Sequence, residues 1–161
     1  MTALWSMVQV WNEIIAILKK IFVPTPPVQI KPTARKEVSF AYVFGVLNGL
    51  FPKAEHIYLS DNKYWLCSEA DIRKFLKLDA TNKEKYLGDI FDCDDFSYRL
   101  MGQLSTPEWS GIAFGVVWSE IHAYNIIITD TGTVKIIEPQ TDELYDTIPP
   151  WMGHEILFIL M

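Results

Sequence analysis

Three side chains of this sequence, far apart along it, are of the types needed for nucleophilic chemistry. Cys93 lies in the run Phe91-Asp92-Cys93-Asp94-Asp95-Phe96, just before an apolar helical pattern. His122 opens His122-Ala123-Tyr124-Asn125, and Glu138 sits in Ile136-Ile137-Glu138-Pro139-Gln140. A thiol at a helix start faces unsatisfied backbone N–H groups and the positive end of the helix dipole, and both favour the thiolate. Asp92, Asp94 and Asp95 oppose this, so an imidazolium partner is required, and His122 is the candidate. In this reading Cys93 attacks a carbonyl carbon, His122 takes and returns the proton, and Glu138 orients the imidazole. The Cys93 backbone N–H is a candidate oxyanion donor. The second donor is not identified, and Tyr86, Asn82 and Trp118 are the residues considered for it. Against this stands the ordinary reading of a free cysteine as a buried, inert thiol.

The elements that must position these groups can be read from pattern. Asp94 to Leu104 reads as the helix behind the cysteine, Ile112 to Trp118 as a buried strand, and Ala123 to Thr129 with Val134 to Glu138 as an antiparallel hairpin. The hairpin loop offers a test. A two- or four-residue turn centred on Thr131-Gly132 sets Glu138 opposite Asn125, on the face away from His122. A three-residue loop Asp130-Thr131-Gly132, with Gly132 left-handed, sets Glu138 opposite Tyr124 and diagonal to His122 at about 7–8 Å. Gly at the third loop position favours that register.

Upstream, Phe40 to Phe51 reads as an apolar helix ended by Pro52, and Ser68 with Asp71 caps a helix from Ser68 to Leu78. His56 to Leu59 and Tyr64 to Cys67, separated by Ser60-Asp61-Asn62-Lys63, read as a short hairpin. Cys67, His56 and His154 receive structural or surface roles. One helix followed by an antiparallel sheet is an α+β arrangement.

The chain divides into residues 1–23, an amphipathic helix, residues 24–32, a proline-rich linker, and residues 33–161, the main domain. Leu4, Val8, Trp11, Ile15, Leu18 and Phe22 form an apolar stripe, with Gln9, Asn12, Glu13, Lys19 and Lys20 on the other side. The stripe must be covered, by its own domain, by another copy or a larger assembly through residues 3–22, or by a membrane surface. Four prolines between Pro24 and Pro32 favour an extended spacer. No charged leader precedes the stripe, and Asn12 and Glu13 interrupt it, so neither a signal peptide nor a membrane span is expected. That fits a cytoplasmic or assembly-associated protein, with the compartment otherwise open.

Half of the 161 residues are hydrophobic and the formal charge is −6, which gives ample core and no basic groove for nucleic acid. Two cysteines make no disulfide framework. No metal ligand set is assigned. An EF-hand beginning at Asp92 fails because its sixth position is Ser97 and its twelfth Gln103. Zinc on Cys93, His122 and Glu138 lacks a close ligand pair. Calcium held by the acidic run is the one cofactor left open.

The pieces Asp92-Cys93-Asp94-Asp95-Phe96, Gly111-Ile112, His122-Ala123 and the acid-bearing strand resemble the papain-like clan of cysteine enzymes. They are most similar to transglutaminase-like cysteine peptidases, and His122-Ala123-Tyr124-Asn125 with Ile137-Glu138-Pro139-Gln140 is similar to the protease domain of fungal chimeric agglutinins. The resemblance spans roughly residues 88–142. It implies a papain-like or transglutaminase-like core, with a cysteine-bearing helix packed on an antiparallel sheet. It also implies a thiol-dependent peptidase or amidase with a Cys93-His122-Glu138 catalytic triad, acting on a peptide or peptidoglycan-like amide by hydrolysis or by acyl transfer to amines. No glutamine stands in the oxyanion position that papain uses. The alternative is a catalytically silent module of that fold, used for binding or structure within an assembly.

Overall fold

The computed structural model describes Gln9, Asn12, Glu13 and residues 30–161. Expectations for the 1–23 helix and for most of the linker lie outside the described residues. Gln9, Asn12 and Glu13 themselves are helical and exposed.

The elements follow in the order β1 (Lys36–Ser39), α1 (Phe40–Leu50), β2 (His56–Tyr58), β3 (Lys63–Leu66), α2 (Glu69–Leu78), a 3₁₀ turn (Thr81–Lys83), α3 (Cys93–Leu104), β4 (Phe114–Ser119), β5 (Ala123–Ile128), β6 (Val134–Glu138), β7 (Glu143–Tyr145), a second 3₁₀ turn (Pro150–Met152) and β8 (Ile156–Leu160). Caps explain where the helices begin. Ser39 accepts from the Tyr42 amide, and Ser68 accepts from the Asp71 amide and donates to the Asp71 carboxylate at 2.9 Å. Asp92 caps α3, and Asp95 accepts back from the Asp92 amide at 3.2 Å.

A six-stranded sheet in the order β2-β8-β4-β5-β6-β7 forms the middle of the molecule, and β1 pairs with β3 in a separate two-stranded sheet. The period-two alternation of strands sends neighbouring residues to opposite faces. On one face Tyr124, Ile126, Ile128, Ile136 and Val117 pack with Val43 and Leu47 of α1. On the other, Ile127, Ile137 and Phe114 pack with Ile72 and Phe75 of α2 and with Leu100 and Leu104 of α3. The sheet is thus covered on both sides, which is why β4, β5 and β6 read as nearly continuous apolar runs.

Two expectations are corrected here. The sheet is mixed instead of antiparallel, because β2 runs parallel to β8 in the register His56↔Phe158, Ile57↔Ile159, Tyr58↔Leu160. The hairpin expected of His56–Leu59 and Tyr64–Cys67 does not form, since β2 and β3 belong to different sheets. Buried β8 needs a partner on each side. The chain meets that need with β2, closing the end through Ser60 N to Met161 O at 2.8 Å and Tyr64 Oη to Met161 O at 3.2 Å. A papain-like or transglutaminase-like core on an antiparallel sheet is therefore not the description of this architecture.

The β5–β6 hairpin takes the three-residue loop. Gly132 has φ +82°, its N–H donates to Thr129 O at 2.8 Å, and the ladder runs Ile128↔Val134 to Asn125↔Ile137. One further step sets Tyr124 across from Glu138.

Candidate functional site

The site forms where β4 turns into β5, beside the start of α3. Ser119 holds the turn: its hydroxyl accepts from the His122 amide at 2.9 Å and reaches Met152 O at 2.6 Å. Glu120 anchors the outer side by accepting from the amides of His154 and Glu155 at 3.2 and 3.0 Å. These two residues fix the path of the backbone into His122. Sequence reading passed over both, because neither short polar residue belongs to a motif.

His122 Nε2 lies 2.7 Å from Glu138 Oε2, and both side chains are largely buried. The other Glu138 oxygen accepts from the Gln140 amide at 3.0 Å, so the carboxylate is held at both ends. The His122 ring also packs against Tyr124 and Trp151, with centroids 6.3 and 5.4 Å away. Asn125, quoted in the sequence motif without a role, is fully buried and donates to Ser97 O at 3.0 Å and Gly115 O at 3.3 Å. It ties α3 to the sheet.

Cys93 is the first residue of α3 and is half-buried. With Asp94, Trp118, Ser119, Ile121, His122 and Ala123 it lines a groove of about 240 Å³. The structure thus brings Cys93 and His122 to one groove and Glu138 to His122. Burial pushes the Cys93 thiol up, and the charges of Asp92 and Asp94 add to this, against hydrogen bonds from the backbone amides of Ala123 and Asp94. No hydrogen bond joins the thiol to His122, whose Nε2 is engaged by Glu138, which leaves Nδ1 as the ring nitrogen open to another partner. The helix-end effect that was to activate the sulfur is outweighed by desolvation and by the acidic residues around it.

The oxyanion candidates separate. Asn82 donates to Asp142 at 2.6 Å and serves the turn after Glu138 instead of the groove. Tyr86 is exposed, and its hydroxyl is pushed up by desolvation and by Asp92, Cys93 and Asp89. Trp118 lines the groove, with its indole N–H buried and unpartnered. The Cys93 backbone N–H lies in the first turn of α3, as any first helical residue does.

Asp92, Cys93 and Asp94 carry ligand-type atoms within 4.8 Å of one another. The two carboxylates share a hydrogen bond that holds Asp92 down and pushes Asp94 up. Calcium takes six to eight oxygens, and two carboxylates already paired with each other do not complete that shell. Elsewhere, Cys67 is fully buried beside α2 and its thiol is pushed up to about 12, first by desolvation and then by Asp71 and Asp130.

No family model matches the chain, and no curated protein does. Solved structures share its fold, among them the following two. One is described as a PSL1a–E64 complex, with TM-score 0.66 and 21% identity over 78% of this chain and 50% of that chain. The other is Polyporus squamosus lectin bound to the human-type influenza-binding epitope Neu5Acα2-6Galβ1-4GlcNAc, with TM-score 0.61 and 21% identity over 78% of this chain and 49% of that chain. The chain spans about half the length of these neighbours. The expected family is corrected on these neighbours, one of which is described as a lectin and neither as a papain-like or transglutaminase-like peptidase. The expectations of a hydrolase and a thiol protease are corrected with it, while the grouping of Cys93, His122 and Glu138 rests on the geometry above alone. Among the described residues, no helix is long and apolar enough to cross a membrane.

Proposed function

We propose that this domain is a binding module and that the groove beside Cys93, His122 and Glu138 seats a neutral saccharide. The observation that carries the reading is the make-up of the groove wall. It combines an indole, an imidazole, a hydroxyl and a carboxylate, and no lysine or arginine lines it. Trp151 and Ile121 stand half-exposed or more at the rim, and Tyr98 lies 6.2 Å from Trp118. Aromatic faces take the apolar C–H side of a sugar ring, and fixed acceptors such as the carboxylates and His122 take its hydroxyls. Its volume is just below the ~300 Å³ at which drug-sized sites begin, a size for one small ring.

Charge selects among glycans. Asp94 lines the groove and Asp92 and Asp95 flank that stretch in sequence, so an anionic sugar meets like charge there. The sialylated epitope named with one neighbour is a ligand of that whole protein, of which this chain matches about half. A neutral hexose or N-acetylhexosamine fits the present groove better.

The test is a glycan array followed by calorimetry with the full chain. Neutral saccharides should bind, sialylation should add nothing, and Trp151→Ala should weaken binding tenfold or more. Failure to retain any glycan would end the reading. Rapid iodoacetamide alkylation of Cys93 below pH 8 would instead reveal an activated thiolate, which the burial of this sulfur and the acidic residues beside it oppose.

A further inference from the structure

Helix α1 presents an apolar outer face that nothing among the described residues covers. Its eleven residues, Phe40 to Leu50, include no charged side chain, and only Val43 and Leu47 are buried in full. Phe40 and Phe44 are each 40% exposed and stacked on each other with centroids 6.0 Å apart. Ala41, Gly45 and Gly49 follow one another at intervals of four along the exposed side, and a Cβ placed on either glycine would meet nothing within 4 Å. Two glycines inside a helix weaken it, and no neighbour here accounts for them. A floor of small residues beside a wall of phenylalanines is the shape that lets a second helix approach closely.

We propose that the apolar stripe of residues 3–22 of the same chain docks on this face of α1. That segment carries Leu4, Val8, Trp11, Ile15, Leu18 and Phe22 in helical spacing. Gln9, Asn12 and Glu13, from the polar side of the same pattern, are helical and exposed. The tether is long enough. Ile30 is fixed by its carbonyl, which accepts from the Trp109 indole at 2.6 Å. Trp109 lines a cleft of about 210 Å³ whose lining also includes Ser60 and Asp61, and the next residue, Asn62, accepts from the Phe40 amide at 3.0 Å. Ile30 and the start of α1 are thus each bonded to, or next in sequence to, residues that line this one cleft. Residues 23–29, extended at ~3.1 Å each, span about 22 Å. A segment tethered this closely competes at an effective concentration in the millimolar range, which favours it over a second copy of the chain at ordinary concentrations.

Disulfide trapping in the full chain tests the placement. Gly49→Cys is combined in turn with Trp11→Cys, Ile15→Cys and Leu18→Cys, all with Cys93→Ser. Oxidation should give an intramolecular bridge in at least one pair. Chains cross-linked into dimers, or no bridge in any pair, would overturn the proposal. Hydrogen exchange supplies the second measurement. Gly45→Trp sets a bulky side chain on the seat from a position whose Cβ meets nothing within 4 Å, and should speed amide exchange in residues 3–22 at least tenfold while residues 30–161 keep their protection. Exchange that is the same in wild type and Gly45→Trp would also count against it.

Discussion

The central β5–β6 hairpin has two ends built on opposite plans, and a cysteine stands near each. At the loop end, polar groups are satisfied within five residues: Thr129 and Thr131 hydroxyls lie 2.8 Å apart, Thr131 and Thr133 3.2 Å apart, and Thr129 also reaches Thr133 O at 3.0 Å. Cys67 adjoins this end, its carbonyl accepting from the Asp130 amide at 2.9 Å, and its thiol is sealed in the core. At the open end, the polar groups depend on partners from elsewhere in the chain. Asn125 reaches α3, Ser119 reaches Met152, His122 reaches Glu138 and Glu120 reaches the segment just before the last strand. The first plan closes a turn cheaply and leaves nothing to bind. The second fixes a set of side chains around open space, which is the arrangement a ligand site requires.

If this contrast is right, changes at the open end cost more. Asn125→Ala should do most, at about 3 kcal/mol, because it removes two buried hydrogen bonds, to Ser97 O and Gly115 O, and leaves a void where a fully buried amide tied α3 to the sheet. Urea denaturation would show it as a lowered midpoint, and a loss under 1 kcal/mol would break the contrast. Ser119→Ala follows at about 2 kcal/mol, since one hydroxyl serves the amide of His122 and the carbonyl of Met152. It should also weaken saccharide binding, measured by calorimetry, by freeing the backbone under His122.

Asp142→Asn sharpens the comparison through pH. Burial, with Asp79 next, raises the Asp142 carboxyl to about 6. An acid raised above its unfolded value holds its proton more tightly when folded, so stability falls as pH rises from about 4 through 6. The variant should match wild type at pH 4 and exceed it at pH 8 by on the order of 1 kcal/mol after solvent screening. Equal stability of the two proteins at pH 8 would show that the ionised group is not strained. Thr131→Ala, at the self-contained end, should cost least, under about 0.5 kcal/mol by thermal melting, since Thr129 keeps its bond to Thr133 O.

Local chemistry made much of the fold legible. Ser68 with Asp71, the acidic start of α3, and Gly132 at the third loop position each specify their structure within a few residues, and each stands where pattern placed it. The parallel pairing of β2 with β8 was not legible, because those strands lie about a hundred residues apart and parallel partners share no turn signal. The site divides the same way. His122 and Glu138 were brought together by a register that the loop announced. The state of the Cys93 thiol was not announced, since it depends on how much solvent and how many carboxylates surround it once α3 has docked. Ser119 and Glu120 also depend on partners more than thirty residues away, at Met152, His154 and Glu155.

The place of β8 in the sheet has a consequence for biosynthesis. It is the last strand in sequence yet sits inside the sheet, hydrogen-bonded to β2 on one side and to β4 on the other. A nascent polypeptide emerging from the ribosome must therefore hold β2 and the β4 edge unpaired until Ile156–Leu160 clears the exit tunnel. Those edges are sticky while they wait. Chaperone engagement should be greatest on ribosome-bound chains arrested just short of residue 156, and should fall once arrest is moved far enough downstream to release that strand.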